Sequence, residues 1–315
     1  MYFPILRGRQ FELIALRELI DSNAIVKNIV PIIEPVKLSM TLNSTLQAFR
    51  SAGRSIAVIR NPRVGDFVGK LNDPENETIR DKFFAEMDQG AFISAYYIDD
   101  NDALRREHIE KKGVSLDKCI ALCASKDSLN KYRSIFQDCS PMYTLIHDER
   151  SIRRSVQGSK VLWDDKFDKK ARNTDYAIEA DHPFSEDHLY YDEEGYAGVA
   201  DYSIVGKEYS ESGFAPYAVV IHIVYFDDEN ALRIHHFVSD TNDTINDPPR
   251  KFGEALEKFH EWNKTHKLNT IGAKALEQLY TEQKYPGLGT IKKLSIMHHL
   301  ELMSQFLDGG QHEDM

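Results

Sequence analysis

Residues able to do chemistry recur where short apolar runs of this chain end. Arg7 follows the run 2–6. Glu34 and Lys37 close the run 29–36, and Arg60 with Asn61 closes 55–60. Asp99 and Asp100 follow 91–98, His147 and Asp148 close 142–147, Asp164 follows 160–163, and Asp201 lies within 198–204. Arg7, Lys37 and Arg60, with Asn61, have the charge and donor geometry to grip a phosphate or carboxylate. Glu34, Asp148, Asp164 and Asp201 could move a proton or hold a divalent metal, and His147 is the candidate proton carrier.

His147-Asp148 resembles the doublet of metal phosphohydrolases, but those place it on helices, whereas here it ends a strand. The spacing suits an acid/base pair in which the carboxylate orients the imidazole; Asp148 would serve equally as the cap of the next helix. His222 and His235 are expected to face one another across a hairpin. A closed zinc site takes four ligands and no third is evident, so structural histidines are favoured. Pro286-Gly287-Leu288-Gly289-Thr290 reads as a turn and helix start, and His298-His299 as packed or exposed helix residues. No serine elbow, metalloprotease helix, dinucleotide fingerprint or zinc knuckle is present.

The elements that would position these groups alternate between β-branched runs and amphipathic segments, the pattern of parallel strands joined by crossover helices. Strands are expected at 2–6, 29–36, 55–60, 91–98, 119–124, 142–147, 160–163 and 198–204. The first is followed by a helix carrying Phe11, Leu13, Ile14, Leu16 and Leu19. Further helices are expected at 41–52, 77–87, 104–111, 129–136 and 151–156. Eight strands close a barrel that side chains can fill. An open doubly wound sheet would show the same alternation; the polar groups at nearly every strand end favour an α/β, TIM-like (β/α)8 barrel.

The regular units end at 164. Residues 165–197 are polar and aromatic-rich, too long for an ordinary connection, and are expected to form an insertion or lid. Residues 198–240 supply the last barrel strand and a β-hairpin, 218–226 and 231–240, about a 227–230 turn. Symmetric pairing sets Val219, Ile221, Ile223, Tyr225, Leu232, Ile234, His236 and Val238 on one face. Helices follow at 249–266, 270–283 and 289–307, and the whole of 1–315 is read as one domain.

With 42% apolar residues the chain can bury a sizeable core. No apolar run reaches the roughly 18 residues a membrane span needs, and the first residues lack a charged leader and cleavage site, so a cytoplasmic protein is expected. Cys119, Cys123 and Cys139 make neither a disulfide framework nor a metal knuckle, and the first two read as strand fillers. A net charge of −11 argues against general coating of nucleic acid, though a local basic pocket is compatible with it.

Several stretches together resemble the Beta-protein family of bacteria and their phages. They are residues 1–8 with Gln10-Phe11-Glu12-Leu13, Pro31-Ile32-Ile33-Glu34-Pro35-Val36, Arg172-Asn173-Thr174-Asp175-Tyr176, Asp201-Tyr202-Ser203-Ile204-Val205-Gly206, Ala218-Val219-Val220-Ile221-His222 and His236-Phe237-Val238-Ser239-Asp240. Arg172 and Tyr202, within these stretches, join the candidate substrate-binding residues. The resemblance implies a phage-defence or mobile-element setting, sometimes beside a co-encoded nuclease-like protein, and nucleic acid or a nucleotide as target class. It assigns no catalytic residue.

The chain is therefore expected to be a barrel enzyme or ligand-sensing protein acting on a phosphate-bearing substrate. The alternative is a non-catalytic interaction component in which 165–197, with Tyr176, Phe184, Tyr190, Tyr191 and Tyr196, contacts a partner.

Overall fold

A computed structural model describes residues 1–89, 92–98, 106–110, 113–211 and 216–309. Asp99, Asp100 and residues 104, 105 and 111 of the helix expected at 104–111 lie outside the described residues, while Arg106–Glu110 is helical. The strands are β1 (Tyr2–Leu6), β2 (Ile32–Ile33), β3 (Ala57–Ile59), β4 (Ile93–Ile98), β5 (Ile120–Cys123), β6 (Tyr143–Ile146), β7 (Lys160–Trp163), β8 (Asp181–Ser185), β9 (Gly198–Asp201), β10 (Val220–Phe226) and β11 (Leu232–Val238). Two compact units emerge.

The first unit, Met1–Arg9, Lys27–Asp165 and Asp187–Tyr202, holds a closed all-parallel barrel in the order β1-β2-β3-β4-β5-β6-β7-β9. The expected (β/α)8 barrel is therefore present, with connecting helices such as Met40–Ser51, Glu77–Met87 and Leu129–Ile135. Ser39 starts the first of these by accepting from Leu42 N–H at 3.2 Å. β2 is far shorter than the apolar run 29–36. Pro31 and Pro35 cannot donate to a ladder, so the continuous strand is limited to the residues between them, while Val30 N–H still donates to the Tyr2 carbonyl at 2.9 Å and the Pro31 carbonyl accepts from Ala57 N–H at 2.8 Å.

Strand alternation fills the barrel. Phe3, Ile5, Val30, Ile32, Ala57, Ile59, Ala95, Tyr97, Ile120, Leu122, Leu145, Val161, Trp163, Ala200 and Tyr202 pack into one interior cluster. Small residues on β3, β4 and β9 make room for the rings of Phe3 and Tyr143, which meet edge to face at 5.0 Å. Cys119 and Cys123 are buried in and beside β5, and burial pushes their thiols up to about 12 and about 11. They are fillers rather than nucleophiles.

The second unit comprises Gln10–Val26, Lys166–Glu186 and Ser203–Met315. Its sheet is antiparallel in the order β10-β11-β8. Phe237 packs on Phe259 and Trp262 of the helix Pro248–His266, and Phe226 packs on Phe306 of Leu288–Gly309, so helices cover both faces. The helix Gln10–Asp21 lies along Leu288–Gly309, where Lys293 reaches Glu18 at 2.7 Å.

Residues 165–197 are not one irregular loop. They supply a short 3₁₀ turn (Asn173–Ala177), the third strand β8 and a helical turn at Asp187–Tyr190. Asp181, at the start of β8, accepts from Tyr225 at 2.7 Å, Arg233 at 2.8 Å and His235 at 2.9 Å, which ties the strand to the hairpin.

The hairpin register differs from the expected one by a residue. Phe226 pairs with Leu232 and His222 with His236, while His235 faces Ile223. Asp227 accepts from both Glu229 N–H and Ala231 N–H at 2.9 Å, and Asn230 sits in the left-handed region at φ 61°. The loop is thereby closed over three residues instead of four. Leu232, Ile234, His236 and Val238 share a face with His222 and Val224, not with Ile221 and Ile223.

Candidate ligand-binding site

All eight barrel strands end at one mouth, and the period of two decides which strand-end residues enter it. Arg7 lies two residues beyond Ile5, Glu34 two beyond Ile32, Asn61 two beyond Ile59, and His147 two beyond Leu145. Tyr202 is two beyond Ala200. These five candidates continue inward-facing rows and converge.

Glu34 is completely buried and forms the hub. One carboxylate oxygen accepts from the Arg7 guanidinium and from the Tyr97 hydroxyl at 2.9 Å, while the other accepts from Arg63 N–H at 2.7 Å. Burial pulls the Arg7 guanidinium down, but Glu34, Tyr97 and Tyr202 more than offset this and leave its pKa raised. Burial and the neighbouring Glu34 charge hold Tyr97 firmly in its phenol form, and burial pushes Tyr202 up to about 12. Glu34 is therefore an ion-paired organiser of the mouth, held by three donors.

Aromatic rings surround this pair. The Arg7 guanidinium lies 5.0 Å from the centre of the Tyr202 ring, and the Arg63 guanidinium 4.1 Å from that of Tyr97. Trp163 stands between them, 6.5 Å from Tyr97 and 6.2 Å from Tyr202. His147 stacks on Trp163 at 4.9 Å with planes 16° apart. Its Nδ1 lies 2.7 Å from the Trp163 carbonyl, which can only accept, so Nδ1 donates there and Nε2 is the ring nitrogen left outside that bond. The orienting group is thus a backbone carbonyl and not Asp148. The Trp163 indole N–H is buried and finds no acceptor among the described residues.

Asn61 supports the site from β3. Its amide donates to the Tyr97 carbonyl and accepts from the Tyr97 N–H, both at 2.9 Å, so a side chain extends the ladder and fixes the tyrosine.

The other candidates do not join this cluster. Asp201 alternates with Ala200 and Tyr202 and turns outward, accepting from the Tyr2 hydroxyl at 2.7 Å. Arg60 alternates with Ile59 and faces outward near Tyr96. Asp148 is exposed and binds the Tyr196 hydroxyl at 2.7 Å and Arg153 at 3.3 Å. Lys37 is exposed in the loop after β2, and Asp164 is exposed one residue past the inward Trp163. Arg172 belongs to the second unit. Conversely, Tyr97, Trp163 and Arg63 are part of the site and were not among the candidates. For Tyr97 and Trp163 the available signal was their inward parity one layer below the strand ends.

Among the described residues no group of three or more His, Cys, Asp or Glu side chains is arranged to hold a metal ion. Among the described residues no helix is long and apolar enough to cross a membrane. Compared with known proteins, the chain matches no family model and no curated sequence.

Proposed function

We propose that the carboxyl-terminal mouth of the barrel binds a nucleotide, its base held among Trp163, Tyr202 and Tyr97. The observation carrying this reading is the buried Trp163 N–H without an acceptor, set in an aromatic wall. A buried donor left unsatisfied costs about 1–3 kcal/mol, a cost that a ring nitrogen or carbonyl of a base would relieve. Aromatic faces add sequence-tolerant stacking. Arg7 is paired with Glu34, and Arg63, whose guanidinium lies over Tyr97 at an exposed position, adds a second positive charge at the rim for a phosphate. His147, whose Nδ1 is committed to the Trp163 carbonyl, is the group that would accept a proton at Nε2 if the bound nucleotide is turned over rather than sensed.

This reading fits the segments that resemble the Beta-protein family and a cytoplasmic role in phage defence beside a nuclease-like partner. Calorimetric titration with nucleoside phosphates tests it. Trp163→Phe, which keeps the ring but removes the donor, should weaken binding by about 3- to 10-fold. Binding of equal strength in wild type and variant contradicts the assignment.

The interaction reading has one observation in its favour, the 86% exposure of Ile178 in the segment after the 3₁₀ turn. Because that segment also supplies β8, deleting it would disrupt the sheet; Ile178→Asp is the cleaner test. Loss of a co-purifying nuclease-like partner on this single change would support an interface.

A further inference from the structure

We infer a phosphate-binding cavity in the second unit, independent of the nucleotide reading of the barrel. The cavity, of about 670 Å³, is lined by Arg172, Asn173, Thr174, Tyr217 and Asn242 among others. It is large enough for a pyrophosphate or a phosphate monoester with a small body.

Its polar lining is sorted by what is already engaged. Asn173 donates its amide to the Ala218 carbonyl at 2.8 Å, and Asn242 exchanges hydrogen bonds with Ser239. Asp175, the acidic group nearest in sequence, accepts from the Arg172 backbone N–H at 3.2 Å and from the Thr174 hydroxyl at 3.5 Å. The Arg172 guanidinium, by contrast, is exposed and makes no ion pair among the described residues. A planar fork of donors left open at a cavity wall is suited to two phosphate oxygens at once.

A second cation stands behind the wall. Lys251 is 1% exposed, and its ammonium donates to the carbonyls of Tyr217, at 2.7 Å, and Thr244. No carboxylate lies within ion-pair distance of it among the described residues, so its charge is balanced only by carbonyl dipoles. A buried ammonium lacking a counter-ion favours an anion nearby, because screening by water is weak there. The carbonyl it grips belongs to Tyr217, which lines the cavity and is 58% exposed. Arg172 thus supplies direct contact, Lys251 the background potential, and Tyr217 an apolar surface for the body of the ligand.

The test uses inorganic pyrophosphate as the probe and the full chain, titrated by calorimetry at fixed low salt. Saturable binding is expected, weakened at least tenfold by Arg172→Ala and less by Arg172→Lys. Asp148→Asn, in an exposed ion pair of the first unit, should leave it unchanged. Because Arg172 is exposed, the alanine variant should keep the wild-type unfolding midpoint, which separates lost contact from lost fold. Absence of pyrophosphate binding to the wild type, or equal binding by wild type and Arg172→Ala, overturns the inference.

Discussion

The Tyr97 hydroxyl donates to Glu34 at 2.9 Å while Arg7 occupies the same carboxylate oxygen, so a phenol from β4 and a guanidinium after β1 are joined through one acid after β2. Three strands are locked at the mouth by a single side chain. Glu34→Gln should therefore destabilise the barrel by about 3–5 kcal/mol, because it leaves the Arg7 charge buried without its partner. Chemical denaturation followed by circular dichroism measures this. A loss below about 1 kcal/mol would show that Glu34 is not the hub.

The outward acids give the contrasting case. Asp148 is exposed and its pairing with Arg153 is a surface ion pair, so Asp148→Asn should change stability by less than about 1 kcal/mol and leave nucleotide binding intact. Loss of binding in that variant, measured by calorimetry, would restore Asp148 to the site.

Acid should destabilise the second unit through its histidines. His298 is buried, donates Nε2–H to the Val224 carbonyl at 2.6 Å and accepts from the Thr270 hydroxyl at Nδ1; burial lowers it to about 4. Burial, with nearby His182 and His235, lowers His236 to about 3, and burial lowers His222. The rings of His182, His236 and His222 form a chain with contacts of 3.1 and 2.8 Å, in which each nitrogen pair must contain one donor and one acceptor. Protonating His236 would set donors face to face. Since the folded pKa values lie below the unfolded value of about 6.5, the contribution is complete above pH 6.5 and is lost as pH falls toward 4 and then 3. His298 alone carries on the order of 3 kcal/mol. Unfolding midpoints measured from pH 7 to 4 should fall steadily, and less so in His298→Gln; a flat profile contradicts these burial effects.

Gly272 marks a close helix crossing. A Cβ there would meet the Leu294 carbonyl and the His298 backbone nitrogen of Leu288–Gly309 at distances real Cβ atoms do not show. Gly272→Ala should cost about 1–3 kcal/mol despite alanine's better helix propensity. A stabilised variant, read by thermal melting, would show that the helices can separate freely.

The barrel was legible because each strand carries its own apolar period and ends in polar residues. The membership of its mouth was only half legible. Arg7, Glu34, Asn61, His147 and Tyr202 keep step with the inward residues two positions before them, whereas Arg60, Asp164 and Asp201 fall out of step. Parity, applied strand by strand, would have separated them. Tyr97 and Trp163 resemble core fillers in sequence, and only their juxtaposition with Glu34 and His147 gives them a role. Arg63 reaches Glu34 through its backbone, which no side-chain pattern announces. The hairpin register depended on Asn230 adopting a left-handed conformation, a choice between three- and four-residue loops that composition does not decide.

The central claim is that a nucleotide enters the barrel mouth beside Trp163. The chain has two tryptophans, and Trp262 lies on a helix of the second unit, so Trp262→Phe leaves Trp163 as sole reporter. Titrating that variant with adenosine and guanosine phosphates while following tryptophan emission is the most direct measurement. Saturable quenching is expected, with a midpoint matching the calorimetric dissociation constant. Emission that stays constant up to millimolar nucleotide would contradict the account.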